Sequence, residues 1–528
     1  LPRLAPRSSR AAWDQREDTA RGSGIVSTPM ADEDSSTSET PEQHLRWLEA
    51  LAAAPERLLE LDEEALNRLR RAAGKVALPD RISRRKLAHA RRSRLRREVR
   101  DQDDRALEAT SNRQMKRALS FPIAPQQLEI TAQQRQLLER QARARPMESR
   151  PRLNKSRACY VCKEQYNELH FHYDSMCPRC ADVNWIKRTA TADLSGRVAI
   201  VTGSRVKIGY EIVLFLLRAG CRVIATTRFA CDAARRFEKA VDFEAWRDRL
   251  DLRALDLRHT PSVESFCDEV ARAEDRLDFL IHNACQTVRR PPDYYRDMAS
   301  RENPADLPPL LQELLSERTS ERALSVYRAP DRVAQLSQLD LLAEGDQRHL
   351  FPDDMKDGEG QQLDLRDDNS WRMELAEVPT VELLEVQLVN QIAPFVMNGR
   401  LKPLMRAVST PDKHIVNVSA MEGQFDRALK TTRHPHTNMA KAALNMMTRT
   451  SAADYVKDGI HMNSVDTGWV TDEDDFARAV EKEEAQRFAP PLDAVDGAAR
   501  CVDPIFVGVN TGHHCWGQFL KDYMPAPW

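Results

Sequence analysis

No stretch of this 528-residue sequence approaches the run of about eighteen apolar residues that a bilayer span requires. A transmembrane reading is therefore excluded at the outset. Net charge is lacking too: 79 Lys and Arg against 81 Asp and Glu leave −2, so no global field draws the chain to nucleic acid or to an anionic surface. The first residue is Leu1, not Met. The opening segment LPRLAPRSSRAAWDQRED is Arg- and Ser-rich like an organelle transit peptide, yet it carries Asp14, Glu17 and Asp18, which such peptides avoid. Met30, before ADEDSSTSET, would serve equally well as an initiator. No secretory signal is seen, which points to an intracellular protein and leaves cytoplasm, mitochondrion and plastid open.

The charged fraction of 30% against a hydrophobic fraction of 41% places part of the chain outside any large core. Residues 1–43 are rich in Ser, Thr and acids without apolar periodicity, and read as a disordered or processed tail. Residues 44–150 read as a helical, partly basic extension and linker. Leucines and alanines recur at helical spacing in LRWLEALAAAPERLLELDEEALNRLRRAAGKV, with an interruption at Pro55 and an end near Gly74. In residues 81–100, Arg and Lys fill half the positions. No aromatic residue interleaves that run to stack bases, so a solvated or protein-docking helix ranks ahead of nucleic-acid binding, which is not excluded.

Residues 151–190 carry CYVCKEQYNELHFHYDSMCPRC, which spaces Cys159, Cys162, Cys177 and Cys180 as C-x2-C-x14-C-x2-C. Two such knuckles can present four thiolates tetrahedrally to one Zn²⁺, and with no open position the site would be structural. The competing reading is two disulfides or four free thiols. His170 and His172, between the knuckles, are assigned to packing or to solvent.

From residue 191 the order of signals becomes strand, glycine turn, helix, strand, which is that of an α/β, Rossmann-type doubly wound parallel sheet. RVAIVTG ends a buried β run, and the turn Thr202-Gly203-Ser204-Arg205-Val206-Lys207-Ile208-Gly209 leads into a helix from Tyr210. Such a turn lets backbone N–H groups approach a pyrophosphate at a helix N-terminus. The second strand, RVIATTR, ends in Arg228 where an acid would hold a ribose 2′-hydroxyl; with Arg205 it offers two guanidinium groups to a 2′-phosphate, favouring NADP(H) over NAD(H).

Residues 191–528 resemble the short-chain dehydrogenase/reductase family. TGSRVKIG resembles its TGxxxGxG, HNAC at residues 282–285 its NNAG, Asn390 in LVNQIAPF its active-site asparagine, Ser419 in HIVNVSA its catalytic serine, and Lys441 the lysine of YxxxK. The resemblance implies that Asp256 and Leu257 sit by the adenine, that Asn283, Ala284 and Gly468 border the cofactor, and that Lys441 holds the nicotinamide ribose. Departures accompany these matches. Lys207 stands where the middle glycine or alanine is usual, and SVDTGWVTDE replaces the proline of the family's PG turn by Thr467 and a carboxamide-touching threonine by Asp472.

The largest departure lies four residues before Lys441, where the family's proton-transferring tyrosine is replaced by Thr437. An aliphatic hydroxyl does not ionise in a usable range, and Thr437 reads as the N-cap of the following helix. His434 and His436 remain as titratable neighbours; some enoyl reductases of this superfamily place their tyrosine seven residues before the lysine, which here is His434. Pro435 biases His434 toward an extended loop conformation. The resemblance thus implies an atypical NADP(H)-dependent oxidoreductase acting on a carbonyl, alcohol or conjugated alkene, and the alternative is a cofactor-binding, inactive subunit of a larger assembly. An insertion at about residues 291–376, charged and Pro-rich, emerges after the fourth strand. It is expected to act as a lid or, with the N-terminal helices, as a surface for protein partners; homo-oligomerisation is a further possibility.

Overall fold

The computed structural model describes residues 40–117, 150–315, 330–336, 338–339, 346–352, 355, 362–426, 430–471, 478 and 489–528. It divides into two compact units, residues 1–93 and residues 94–528. Asp472, most of the N-terminal tail and parts of the insertion lie outside the described residues.

In the first unit, Pro41–Ala53 is closed at its N-terminus by a reciprocal capping box. Gln43 N donates to Thr40 Oγ1, and Thr40 N donates to Gln43 Oε1. Pro55 ends that helix and opens a short 3₁₀ turn, Pro55–Glu60, and Asp62 then caps Glu63–Ala77. The basic run forms the first part of the 28-residue helix Arg81–Glu108, which continues into the second unit, and the run is exposed except at the half-buried Val99.

In the second unit, the cysteine segment begins as a hairpin of β1 (Arg152–Ala158) and β2 (Gln165–Glu168), followed by the helix Pro178–Arg188. Buried apolar residues around the cysteines, among them Leu153, Tyr166, Leu169 and Met176, give it a small core. It is fastened to the rest of the unit by Arg188, wholly buried, whose Nη1 lies 2.6 Å from Asp493 and 3.0 Å from Asp496. Removing one side of such a buried pair strands a charge, at a cost of roughly 3–5 kcal/mol.

The remaining strands are β3 (Val198–Thr202), β4 (Arg222–Thr227), β5 (Leu250–Ala254), β6 (Phe279–His282), β7 (Lys413–Ser419), β8 (Ile460–Asp466), β9 (Phe519–Lys521) and β10 (Met524–Ala526). They form one sheet in the order β10-β9-β8-β7-β6-β3-β4-β5, parallel throughout except for β10. Parallel strands covered on both faces read as unbroken buried runs, and β3, β5, β6, β7 and β8 are buried at every residue. One face packs against Lys207–Arg218 and Ala494–Thr511. The other packs against Thr260–Ala273, Ala393–Ala407 and the end of Pro435–Tyr455. The order reverses between β3 and β6, so a crevice opens at their carboxyl ends, the ligand position of doubly wound sheets.

The insertion is tied to this body. Leu252 N in β5, the outermost parallel strand, donates to Leu314 O at 2.8 Å, and Leu252 bridges Leu315, which covers an otherwise open edge. Glu302, buried, caps the helix Ala230–Phe237 by accepting from Cys231 N at 2.8 Å and Asp232 N at 2.7 Å.

Candidate functional site

The glycine turn is shaped by backbone contacts that tolerate no side chain. Gly203 has φ +68°, and a Cβ there would stand 2.7 Å from Ala284 Cα; at Gly209 it would stand 2.0 Å from Gly203 O. Asn283 closes the turn, donating from Nδ2 to Thr202 O and Gly203 O at 3.3 and 3.1 Å, while Ala284 N donates to Thr202 Oγ1 at 3.1 Å. Ser204, buried, donates to Thr226 O at 3.1 Å. Lys207 opens the helix Lys207–Arg218 with φ +53°, the left-handed conformation that a glycine adopts without strain.

This turn forms one side of a cavity of about 550 Å³. Gly203, Arg205, Lys207, Ile208, Gly209, Arg228, Asp256, Leu257, Asn283 and Ala284 all line it, so most of the sequence-proposed cofactor residues converge here. Thr202 and Ser204 lie behind it as supports. Arg228 reaches Tyr295 Oη at 3.0 Å with its guanidinium 4.6 Å from that ring and 5.5 Å from the Phe229 ring. Arg205 lies 2.8 Å from Asp232. Burial pushes the Asp232 carboxyl up, but Arg205 and Arg236 outweigh it and hold the group down at about 2. Asp256 is almost wholly buried; burial opposes its charge, and Arg258, 2.6 Å away, holds it ionised.

Side chains that the sequence did not single out complete the wall beside Arg228. The insertion supplies Tyr294, Tyr295, Gln362, Asp364, Arg366 and Asn369 to the cavity. In these residues the insertion borders the crevice, next to the carboxyl end of the strand that it follows. The Tyr-Tyr pair in PPDYYRDM was the available signal, two aromatics in an otherwise polar segment.

The other proposed residues stand apart from the lining of that cavity. Asn390 lies in a π-helical turn, Leu388–Ile392, a distortion frequent at functional sites, and its amide exchanges hydrogen bonds with the Gln286 backbone at 2.7 and 3.0 Å. Ser419 ends β7, buried, with no hydrogen-bond partner for Oγ. Lys441, also buried, donates from Nζ to Val418 O at 2.8 Å, which brings it beside Ser419. Gly468, with φ +76°, follows β8, and its N–H donates to Asp466 Oδ1 at 2.8 Å.

Two expectations are corrected here. Thr437 is not the N-cap: the helix is Pro435–Tyr455, His434 occupies the cap, and Thr437 is in the first turn with Oγ1 buried and unpartnered. His434 is not extended but left-handed, φ +42° and ψ +49°. Tertiary contacts override the proline effect: His434 N donates to Met373 O at 2.9 Å, and its ring stacks on Trp371 at 4.0 Å and 5°. His436 faces the neighbouring helix Thr380–Gln387, with Nε2 3.9 Å from Glu382, and burial pushes its pKa below the ordinary imidazole value.

The four cysteine sulfurs lie within 4.8 Å of one another, Cys162 and Cys177 at 3.7 Å, and Cys177 N donates to Cys159 Sγ at 3.2 Å. His170 and His172 pack in a buried aromatic group with Tyr173 and Trp185. No helix among the described residues is long and apolar enough to cross a membrane.

Comparison with known proteins agrees with the architecture. Residues 197–301 match the short chain dehydrogenase family model, and residues 368–491 match that of enoyl-(acyl carrier protein) reductase. An uncharacterized protein of Acanthamoeba polyphaga mimivirus is 30% identical over 382 residues, 69% of this chain and 74% of its own. The WW domain-containing oxidoreductase of Drosophila melanogaster is 38% identical over 93 residues, 17% of this chain and 23% of its own. A solved NADPH-bound short chain oxidoreductase of Pseudomonas aeruginosa, described as containing an atypical catalytic center, is similar at TM-score 0.40 and 17% identity, covering 62% of this chain and 96% of its own. The chain belongs to the short-chain dehydrogenase/reductase family.

His282, in the HNAC segment, carries a measurable consequence. It is buried against Asn398 Oδ1 at 2.9 Å, and burial outweighs that bond to push its pKa down to about 4. The unfolded chain binds this proton at a pKa of about 6.5, so the stabilisation from the neutral ring, ~3 kcal/mol, is present above that pH and is lost as pH falls toward 4. Denaturant midpoints measured from pH 7 to 4 should fall for the parent, and His282→Asn should make that decline shallower; parallel declines would count against the assignment.

Proposed function

We propose that the protein is an NADP(H)-dependent oxidoreductase acting on a carbonyl, alcohol or conjugated alkene. The observation that carries this reading is the cavity at the β3–β6 reversal, walled by the side-chain-free turn at Gly203 and Gly209 and by Arg228 at the end of β4. The glycine cradle suits a pyrophosphate at the N-terminus of Lys207–Arg218. The guanidinium groups of Arg228 and Arg205 suit a 2′-phosphate on the adenosine side.

When bound, the cofactor supplies or accepts the hydride. This chain's part is to bind, orient and move a proton. Lys441 holds the ribose, and Ser419 Oγ and Thr437 Oγ1, both buried without partners, offer hydrogen bonds to the substrate oxygen. Asn390 keeps the Gln286 backbone in place. His434 is the proton source: it caps the helix that carries Lys441, in a left-handed conformation held by Trp371 and Met373, whereas His436 is turned to Glu382. Non-glycine residues in that conformation cluster at functional sites because the surroundings must over-determine them.

The cysteine cluster is read as a structural Zn²⁺ site. Tetrahedral Zn–S bonds of about 2.3 Å place sulfurs about 3.8 Å apart, and the observed spread of up to 4.8 Å, with one pair at 3.7 Å, fits that arrangement. Four sulfur donors leave no position for a substrate.

Arg228→Asp should weaken NADPH binding by roughly tenfold or more while sparing or improving NADH, since a charge-assisted contact is exchanged for a ribose acceptor. Isothermal titration with both cofactors checks this, and equal parent affinity for the two would defeat the 2′-phosphate assignment.

His434→Ala should lower turnover in a carbonyl and enone panel roughly a hundredfold with NADPH affinity intact. A parent that binds NADPH and reduces nothing in the panel would overturn the enzymatic reading.

Metal analysis should find one zinc per chain, and Cys177→Ser should lower both metal content and thermal stability, because metal binding there supplies folding free energy. A metal-free protein of unchanged stability would end the zinc reading.

A further inference from the structure

The cysteine module holds both ends of the segment that leaves β8. Tyr160 stands between Cys159 and Cys162, and its hydroxyl accepts from Trp469 N at 2.9 Å. The approach is close: a Cβ on Gly468 would lie 3.1 Å from that hydroxyl and 2.5 Å from Leu492 Cδ1. Val470 and Leu492 both pack into the module's own apolar core with Leu153, Cys159 and Met176. At the returning end, Arg188 of the module binds Asp493, and Asn112 of the preceding extension donates from Nδ2 to Pro491 O at 3.1 Å.

The same segment reaches the crevice. Trp469 Nε1 donates to Thr471 O at 3.0 Å, and Thr471 lines the cavity. A Cβ on Gly497 would meet Val470 Cγ2 at 3.2 Å and Ile208 Cδ1 at 2.9 Å, and Ile208 belongs to the glycine turn. β8 lies on the side of β3 away from β4 and β5, so the contact is with the half of the crevice opposite Arg228.

We propose that the cysteine module regulates the cofactor site by anchoring this segment, so that loss of its metal loosens the nicotinamide side of the crevice and leaves the adenosine side intact. The proposal rests on the dinucleotide and zinc readings given above. It makes Tyr160 a positioning residue, acting through Gly468 and Trp469 and not on the reacting atoms. Tyrosine is suited to the task because its ring packs with the module while its hydroxyl reaches the neighbouring backbone.

The test uses the full chain and separates the anchor from the cofactor. In Tyr160→Phe all four cysteines remain and one acceptor is removed, so zinc content should be unchanged. The Trp469 amide should exchange with solvent about fivefold faster or more, the scale of one net hydrogen bond. The Kd for NADPH should rise several-fold, while that for 2′-phosphoadenosine diphosphate, which fills only the adenosine half, should not move. Leu492→Ala, which touches the module core without altering a sulfur, should reproduce both effects, and so should removal of zinc by a chelator. Unchanged Trp469 exchange in Tyr160→Phe and after chelation would overturn the anchor. Faster exchange with unchanged NADPH affinity would overturn the regulation. A parent that fails to bind NADPH would sink the dinucleotide reading and the regulation together, with the anchor still decided by the exchange data.

Discussion

The crevice depends on how closely two backbones approach at the carboxyl ends of β3 and β6. Gly203 and Gly209 face one another so nearly that a methyl group on either would collide with main-chain atoms, and the Asn283 amide bonds the carbonyls of Thr202 and Gly203 across the gap. Neighbouring parallel strands whose helices depart to opposite faces leave a space between them only at this reversal. The turn, the start of Lys207–Arg218 and the HNAC segment are therefore one unit: moving any of them moves the cavity wall.

Two non-glycine residues with positive φ border the functional region, and both lie where the chain departs from its family. Lys207 takes the place of a glycine, and His434 precedes the helix that has lost its tyrosine. Each left-handed residue costs on the order of 1 kcal/mol, which the rest of the fold must offset. For His434 the compensation is visible in the Trp371 stack and the Met373 hydrogen bond. Both contacts come from the end of the insertion, so the conformation of the proposed proton source is set by a segment that other sequence features did not connect with it.

Local pattern made the fold readable. Buried β runs, the glycine turn and ordered motifs identify the sheet and many of the residues that line the cavity, because these features are specified by residues close together in the chain. The cysteine cluster was equally readable from spacing. What failed was the His434 conformation, fixed by Trp371 and Met373 against the preference imposed by Pro435, and the place of Thr437 inside its helix. Tyr295 meets Arg228 across 67 positions and Tyr160 meets Trp469 across 309, separations at which periodicity carries no information.

The added segments also explain how a site without the usual phenol can remain ordered. In a parallel sheet the strands fix the floor of the crevice, but its walls are loops, and loops carry the lowest local stability of a fold. Here the wall beside Arg228 is backed by the insertion, which is itself pinned to β5 through Leu252 and to Ala230–Phe237 through Glu302. The opposite wall is backed by the cysteine module, pinned through Arg188 to the acidic start of Ala494–Thr511. The two supports grip different edges of one crevice, and each is tied to the sheet by buried polar contacts that lose their partners if it moves. The insertion and the cysteine module thus support the walls of the site, while the sheet beneath supplies its floor.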